Sequence, residues 1–138
     1  TAPHPLSAAR RVRSGDEVLL VGYGPTVAPC AEAAAAAEED GHCLAVLDLR
    51  SLSPIDWATV LDEARRVGRV VVVHEAHRTL GLGAEVAARV SEECFYSLEA
   101  PVLRVTGYDT PYPPSRMEDI WLPDVDRVLD AVDESLAF

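Results

Sequence analysis

Four consecutive valines, residues 70–73, constrain the fold of this chain more than any other stretch. With Arg69 they form a strand-like run in which apolar and polar positions do not alternate. A strand with one face in water alternates, whereas a strand in a parallel sheet is covered by helices on both faces and is apolar throughout. The stretch at residues 69–73 therefore predicts the central strand of a parallel α/β sheet.

Other strand and helix patterns alternate along the chain. Strands are expected at residues 10–13, 17–21, 43–47 and 101–105, and helices at 26–40, 54–68, 83–98 and from Pro123 or Asp124 onward. The sequence Ser53-Pro54-Ile55-Asp56 has the form of a capping box with proline at the first helical position. The alternation predicts a mostly parallel sheet with helices on both faces, joined by right-handed crossovers.

Neither glycine-rich turn completes a dinucleotide-binding motif. A G-x-G-x-x-G loop starting at Gly81 would need a third glycine where Val86 stands, and one starting at Gly22 would need glycine where Val27 stands. Tight turns and helix caps are the simpler explanation of these glycines.

The two histidines after the valine run do not predict a metal site. We expect residues 74–79 to form a polar loop at the carboxyl end of the strand, where open α/β sheets place their sites. His74 and His77 are three positions apart, and at a strand end this spacing does not put both imidazoles on one face. Loop hydrogen bonding is therefore expected rather than metal binding.

Composition narrows the class of protein. A chain of 138 residues suits one domain with a hydrophobic core, and its net charge of -11 argues against nucleic-acid binding, which needs a basic face. No apolar run reaches membrane-spanning length. Three cysteines without C-x-x-C spacing indicate neither a disulfide framework nor a zinc site, and they favour a reducing cytoplasm.

Two polar loops are expected to meet at the carboxyl edge of the sheet. Residues 74–83 follow the valine strand and residues 108–114 follow the last strand, and parallel strands deliver both loops to the same edge. Tyrosine at such an edge favours an interface. The predicted subunit-interface residues are His74, Glu75, His77, Arg78, Gly81, Gly83, Tyr108, Asp109 and Tyr112.

Short motifs along nearly the whole chain resemble one enzyme family. They are Asp48-Leu49-Arg50 with Pro54 and Asp56, the valine run with His74-Glu75-Ala76, Leu98-Glu99-Ala100-Pro101, and residues 107–113. The chain resembles the C-terminal, transketolase-type domain of the beta subunit of the thiamine-diphosphate-dependent decarboxylase component of 2-oxo acid dehydrogenase complexes. Residues 92–95, 98–101 and 107–113 look most like the branched-chain enzyme. The family often has Gly-Gly where Leu80-Gly81 stands.

This resemblance implies a fold, and it implies that this domain serves assembly while other parts of the enzyme hold the cofactor. The fold is a five-stranded sheet whose short first strand runs antiparallel to the others, with residues 10–138 as the domain and residues 1–9 as a linker from a missing thiamine-binding domain. Thiamine diphosphate and magnesium belong to the complete enzyme, and no catalytic, cofactor or metal residue is expected in this chain. The implied role is assembly with an alpha subunit and a second beta subunit.

The resemblance further implies docking of the acyltransferase subunit-binding domain. Residues 117–138 hold seven acids against Arg127 alone. The predicted docking residues are Asp126, Asp130, Asp133, Glu134 and Phe138. A solvated acidic face is the plainer explanation.

Other classes of protein stay open at this stage. The domain could belong to a pyruvate dehydrogenase beta subunit, or to a transketolase or related synthase, within the same fold. It could instead be a free-standing flavodoxin-like module with its ligand near residues 22–26 or 74–83.

Overall fold

The computed structural model describes residues 3–138, and their strands form one five-stranded sheet. The strands are β1 (Arg10–Arg13), β2 (Val18–Gly22), β3 (Leu44–Asp48), β4 (Val70–His77) and β5 (Leu103–Gly107), and their order is β1-β3-β2-β4-β5. β1 runs antiparallel to β3, and the other three strand pairs are parallel. The expected sheet, with its short antiparallel edge strand, is confirmed.

Helices cover both faces of this sheet. They are α1 (Val27–Glu39), α2 (Trp57–Val67), α3 (Leu82–Glu93), α4 (Glu118–Trp121) and α5 (Val125–Leu136). Successive strand residues point to opposite faces, so Val70 and Val72 pack with α2 and α3, while Val71 and Val73 pack with α1 and α5. Within residues 3–138, no helix combines the length and apolar character needed to cross a bilayer.

β4 differs from its prediction in position and length. The middle strand is β2, whereas β4 lies between β2 and β5. The valines of β4 are nevertheless fully buried, because helices cover both faces of the sheet at this position. The strand also continues to His77, which pairs with Gly107 after an irregularity in register, so residues 74–77 are strand rather than loop.

The start of α2 corrects the predicted capping box. Pro54 follows a cis peptide bond and lies before the helix, which begins at Trp57. The N-cap is Asp56, whose Oδ1 accepts the backbone N–H of Thr59 at 3.2 Å. Its Oδ2 accepts the Thr59 hydroxyl at 2.7 Å and the backbone N–H of Ala9 at 2.9 Å. One carboxylate therefore starts α2 and anchors the segment leading into β1.

Two further boundaries differ from expectation. The third helix ends at Glu93 rather than residue 98, because residues Phe95–Ser97 tighten into a 3-10 turn. The sequence patterns also missed α4, a single turn that places Trp121 against the end of β5.

Replacing Asp56 with Ala should lower the free energy of unfolding by about 1–2 kcal/mol near neutral pH, because a helix cap is lost. The Thr59 hydroxyl, more than any other neighbour, lowers the pKa of the Asp56 carboxyl. A depressed carboxyl pKa stabilises the fold above the unfolded-state value of about 4, and this contribution is lost as pH falls through the folded-state value. Urea unfolding at several pH values should therefore show that the difference in unfolding free energy between wild type and Asp56→Ala becomes smaller in acid.

The matched control is Asp62→Ala, which removes only an exposed pair with Arg65 at 3.6 Å and should cost less than about 0.5 kcal/mol. Asp56→Asn keeps one acceptor and should fall between wild type and Asp56→Ala. An Asp56→Ala protein as stable as wild type would contradict the anchoring role.

Candidate functional site: loops at the carboxyl edge of the sheet

His74 ends the fully buried part of β4, and its side chain is completely enclosed. The Nδ1–H group donates to the carbonyl oxygen of Ala76 at 3.1 Å, and Nε2 has no hydrogen-bond partner in residues 3–138. Burial lowers the pKa of His74, because the charged imidazolium is disfavoured away from water. The imidazole is therefore a neutral group packed in the core.

This imidazole explains the two glycines that follow β4. A Cβ on Gly83 would lie 2.5 Å from His74 Nε2, and a Cβ on Gly81 would lie 2.9 Å from His74 Cε1 and 2.1 Å from the carbonyl oxygen of His77. Glycine is needed here because the start of α3 lies directly against the ring. His74 and Gly83 are buried inside the domain, and the subunit-interface role of the predicted set stays a prediction.

The crevice between β2 and β4 is closed by the chain itself. The sheet order reverses at these two strands, which is where doubly wound proteins usually bind ligands. The single O–H of Thr26 lies between two acceptors, the carbonyl oxygens of Tyr23 at 2.9 Å and Val73 at 3.0 Å. The rings of Tyr23 and His74 lie 6.1 Å apart. These contacts argue against the alternative of a free-standing ligand-binding module.

The loops after β4 and β5 meet and are joined by hydrogen bonds. Asp109 accepts the Thr79 backbone N–H at 2.9 Å and the Thr79 hydroxyl at 2.6 Å. His77 Nε2 lies 2.6 Å from the carbonyl oxygen of Thr110. The Thr79 hydroxyl is the main reason that the pKa of the Asp109 carboxyl is lowered. The predicted juxtaposition of the two loops is therefore observed, whereas their contact with another subunit stays a prediction.

Trp121 supports the underside of these loops. Its ring meets His77 at 5.9 Å and Tyr112 at 5.1 Å, both edge to face, and its Nε1–H donates to the Thr110 hydroxyl at 3.0 Å. A Cβ on Gly107 would lie 2.3 Å from the ring, so glycine is required there. Sequence reasoning did not assign Trp121 to the site, although an aromatic residue shortly after the proline-rich loop was the available signal.

The outer surface of the loops carries unusually exposed apolar side chains. Leu80 is 97% exposed and has φ of 63°, a left-handed backbone conformation that costs an L-residue about 1–2 kcal/mol. Folding of the domain explains neither property. Further large exposed apolar side chains, Tyr108, Tyr112, Met117 and Ile120, lie in the loop after β5 and the turns that follow it. Sequence patterns missed Leu80, Met117 and Ile120, because periodicity indicates which residues are buried and not which exposed residues share a surface.

The predicted docking residues lie on α5 and at the end of the chain. Asp126, Asp130, Asp133 and Glu134 are exposed, and Phe138 is 61% exposed. In the described part of the chain, none of these four carboxylates lies within 4.0 Å of a guanidinium or imidazole nitrogen. Asp133 and Glu134 also lie at the carboxyl end of α5, where the helix dipole disfavours negative charge. The exposed side chains of α5 are therefore mostly acidic, with Arg127 as the one basic residue of the helix.

Comparison with known proteins gives the class of this chain. The sequence model described as "Transketolase, C-terminal domain" matches residues 7–128. The chain belongs to this family. Within it, the chain resembles the C-terminal part of the beta subunits of 2-oxo acid dehydrogenase E1 components, as its motifs predict.

Two relatives represent two kinds of 2-oxo acid dehydrogenase. The chain is 52% identical over 136 residues to the pyruvate dehydrogenase E1 component subunit beta of Leifsonia xyli subsp. xyli, covering 99% of this chain and 40% of the relative. It is 50% identical over 133 residues to the 3-methyl-2-oxobutanoate dehydrogenase subunit beta of Mycobacterium tuberculosis, covering 96% and 38%. The chain therefore spans about two fifths of the length of these curated relatives.

A solved structure has the same fold. It is that of a split gene transketolase in the form of an inactive beta4 tetramer, with a TM-score of 0.84 and 30% sequence identity. The match covers 99% of this chain and 43% of the transketolase chain. A 2-oxoglutarate:ferredoxin oxidoreductase from Magnetococcus marinus, at 14% identity and a TM-score of 0.59 over 94% of this chain and 19% of its own, shows the fold alone.

Residues 3–138 do not fit thiamine diphosphate. Open backbone N–H groups of a glycine turn are one common way to hold a diphosphate, but the glycine turn after β4 packs on the His74 ring. The turn after β2 is closed by the Thr26 hydroxyl. Within the described residues, no three His, Cys, Asp or Glu side chains come together to hold a metal ion. No chemical step through the cofactor is therefore assigned to this chain.

Thr79→Val should raise the pKa of the Asp109 carboxyl toward its ordinary value, because the variant loses the hydroxyl that donates to Oδ2. The measurement is an NMR titration of the Asp109 carboxyl carbon. Thr110→Val is the control, since the Thr110 hydroxyl accepts from Trp121. An equal pKa of Asp109 in wild type and Thr79→Val would contradict the described joint between the loops.

Proposed function

We propose that this chain is the assembly domain of the beta subunit of a 2-oxo acid dehydrogenase decarboxylase component. The observation that carries this proposal is the group of exposed apolar side chains on two loops that are held in place by hydrogen bonds. Interfaces favour aromatic and apolar residues that are already ordered before binding, because less conformational freedom is then lost. In the complete enzyme, this edge contacts the alpha subunit or the second beta subunit.

For the substrate of the complete enzyme, the proposal is a 2-oxo acid, and the branched-chain type is favoured over pyruvate. The pyruvate and 3-methyl-2-oxobutanoate relatives are almost equally similar to the chain. Residues 92–95 and 107–113 favour the branched-chain enzyme through their resemblance to its motifs. A pyruvate dehydrogenase beta subunit is the alternative, and the 30% identity to a split gene transketolase supports transketolase as a second one. The cytoplasmic location inferred from the cysteines stays a prediction.

Leu80→Gly should weaken subunit assembly without destabilising the domain. Glycine adopts a positive φ at no steric cost, so the free energy of unfolding should stay the same or rise by up to about 1 kcal/mol. Affinity for the partner subunits should fall about tenfold or more, because a central apolar anchor is removed. Thermal unfolding of the 138-residue chain and sedimentation of the complete subunit with its partners measure the two effects.

Leu6→Gly is the matched control, because Leu6 is strongly exposed as well, at 90%, but lies in the segment before β1. It should leave assembly unchanged. Tyr112→Ala tests the same edge at a second position and should weaken assembly as well. If both Leu80→Gly and Tyr112→Ala assemble with wild-type affinity, the edge is not an interface.

The acidic face of α5 is proposed as the docking surface for the acyltransferase subunit-binding domain. Exposed like charges favour a basic partner and speed its association. Changing Asp133 and Glu134 to Ser should slow association and flatten its salt dependence, and deleting Phe138 should speed dissociation. Surface plasmon resonance of the assembled enzyme at two salt concentrations measures both rates.

The control for this experiment is a double change of Glu92 and Glu93 to Ser, which removes the same charge at the end of α3. It should alter the salt dependence less. If neither the α5 variant nor the Phe138 deletion changes acyltransferase affinity, a solvated acidic face explains these residues.

We further propose that the 138-residue chain neither binds thiamine diphosphate nor decarboxylates 2-oxo acids by itself. Titration calorimetry with the cofactor and magnesium should give no binding heat. The complete alpha–beta assembly is the positive control. Binding in the micromolar range to the chain alone would contradict the assignment of catalysis to other parts of the enzyme.

A further inference from the structure

β5 lies at the end of the strand order and pairs with β4 only. Its other side carries backbone N–H and C=O groups that no strand in residues 3–138 pairs with, and Thr106 there is only 3% exposed because the domain's own side chains cover it. The opposite edge strand, β1, contains three arginines in four residues and a register irregularity, two features that oppose strand addition. β5 has one charged residue, Arg104, and the irregularity in its pairing with β4 falls after Val105, so residues 103–105 pair in regular register.

The direction of each backbone group in β5 follows from the sheet register. The Leu19 N–H donates to the Arg69 carbonyl, so the backbone groups of Arg69 face β2. Because this direction alternates along a strand, the backbone groups of Val71 also face β2, and those of Val72 face β5. Val72 lies opposite Arg104. In a parallel pair with this register, the backbone groups of Leu103 and Val105 bond to β4. Those of Arg104 and Thr106 point away from β4, toward the outer side of the sheet.

Two arginines from different parts of the fold occupy this outward side. Arg78 Nη1 donates to the Arg104 carbonyl oxygen at 3.0 Å, and Arg127 Nη2 donates to the Thr106 carbonyl oxygen at 2.6 Å. Arg78 precedes α3 on one face of the sheet, whereas Arg127 belongs to α5 on the other. The guanidinium groups therefore reach the same edge from opposite layers.

Each arginine is held in place by a further contact. Arg104 Nη1 donates back to the Arg78 carbonyl oxygen at 2.8 Å, which makes a reciprocal pair. The Arg127 guanidinium lies 4.8 Å from the centre of the Tyr108 ring. In residues 3–138, neither Arg78 nor Arg127 has a carboxylate oxygen within 4.0 Å, so ion pairing within the described chain does not explain their positions.

We propose that Arg78 and Arg127 close the edge of β5 against pairing with β5 of a second copy of this chain. Two identical strands related by a twofold axis run antiparallel and match each donor with an acceptor. In this pair, Arg104 of one copy would lie opposite Thr106 of the other. The backbone N–H of each of these residues would then donate to the carbonyl oxygen of the residue opposite. The guanidinium groups occupy the two carbonyls that this pairing requires, and their bulk and charge keep the second strand away.

The test removes both arginines from the 138-residue chain by Arg78→Ala and Arg127→Ala. Sedimentation velocity should give a species of roughly twice the 14.9 kDa chain mass, in contrast to wild type at the same concentration. Amide hydrogen exchange should slow by roughly tenfold or more at Arg104 and Thr106 in the variant, because these amides become paired. Arg116→Ala, which removes an exposed arginine near the loops, is the control for lost charge and should behave as wild type.

The single variants Arg127→Lys and Arg78→Ala keep the proposal testable if the double variant does not fold. Arg78→Ala frees the Arg104 carbonyl, and Arg127→Lys weakens the bond to the Thr106 carbonyl because an ammonium lacks the planar geometry of a guanidinium. Each single variant should therefore show partial dimerisation and partial slowing of exchange at the same two amides. A folded double variant that sediments as wild type would overturn the proposal. Dimerisation without slower exchange at Arg104 and Thr106 would also overturn it, because association would then use another surface.

Discussion

Residues 70–74 of β4 have no side that faces water, and most of the molecule is arranged to satisfy that requirement. Burying one valine side chain contributes about 1.5–3 kcal/mol, so four in succession favour a fold with helices on both faces of the strand. The same burial continues to His74, and it lowers the pKa of the imidazole because the charged form is disfavoured away from water. The glycines at positions 81 and 83 then let α3 start directly on the imidazole ring.

The carboxyl edge of the sheet combines rigidity with exposed apolar surface. Bonds from Thr79 and His77 to the β5 loop order the turn that carries Leu80, while Trp121 packs beneath it. An ordered side chain loses little freedom on binding, whereas the left-handed backbone and solvent exposure of Leu80 cost stability in the free domain. These opposing properties are typical of a surface shaped for a partner rather than for folding.

Charge is distributed unevenly over the domain. The acids of α5 lie without ion pairs on one exposed face in the described chain, whereas both edge strands carry or bind arginines. Arginine suits those edges because its guanidinium offers several donors to backbone carbonyls while remaining charged. Like charges on α5 contribute nothing to the core, so a role in recognition or solubility has to account for them.

Local sequence alone determined the strands, the main helices and their layering, because the uniform valine run and the alternating elements each admit few arrangements. The meeting of the loops after β4 and β5 also followed from strand direction. Tertiary structure alone decided that Asp56 rather than Ser53 caps α2, that His74 is enclosed, and that Trp121 supports the loops. Residues distant in the chain take part in all three, since Ala9 bonds to Asp56, Tyr23 packs near His74 and Gly107 lies against Trp121. Local pattern carries no information on such contacts, because only packing of the whole chain brings the partners together.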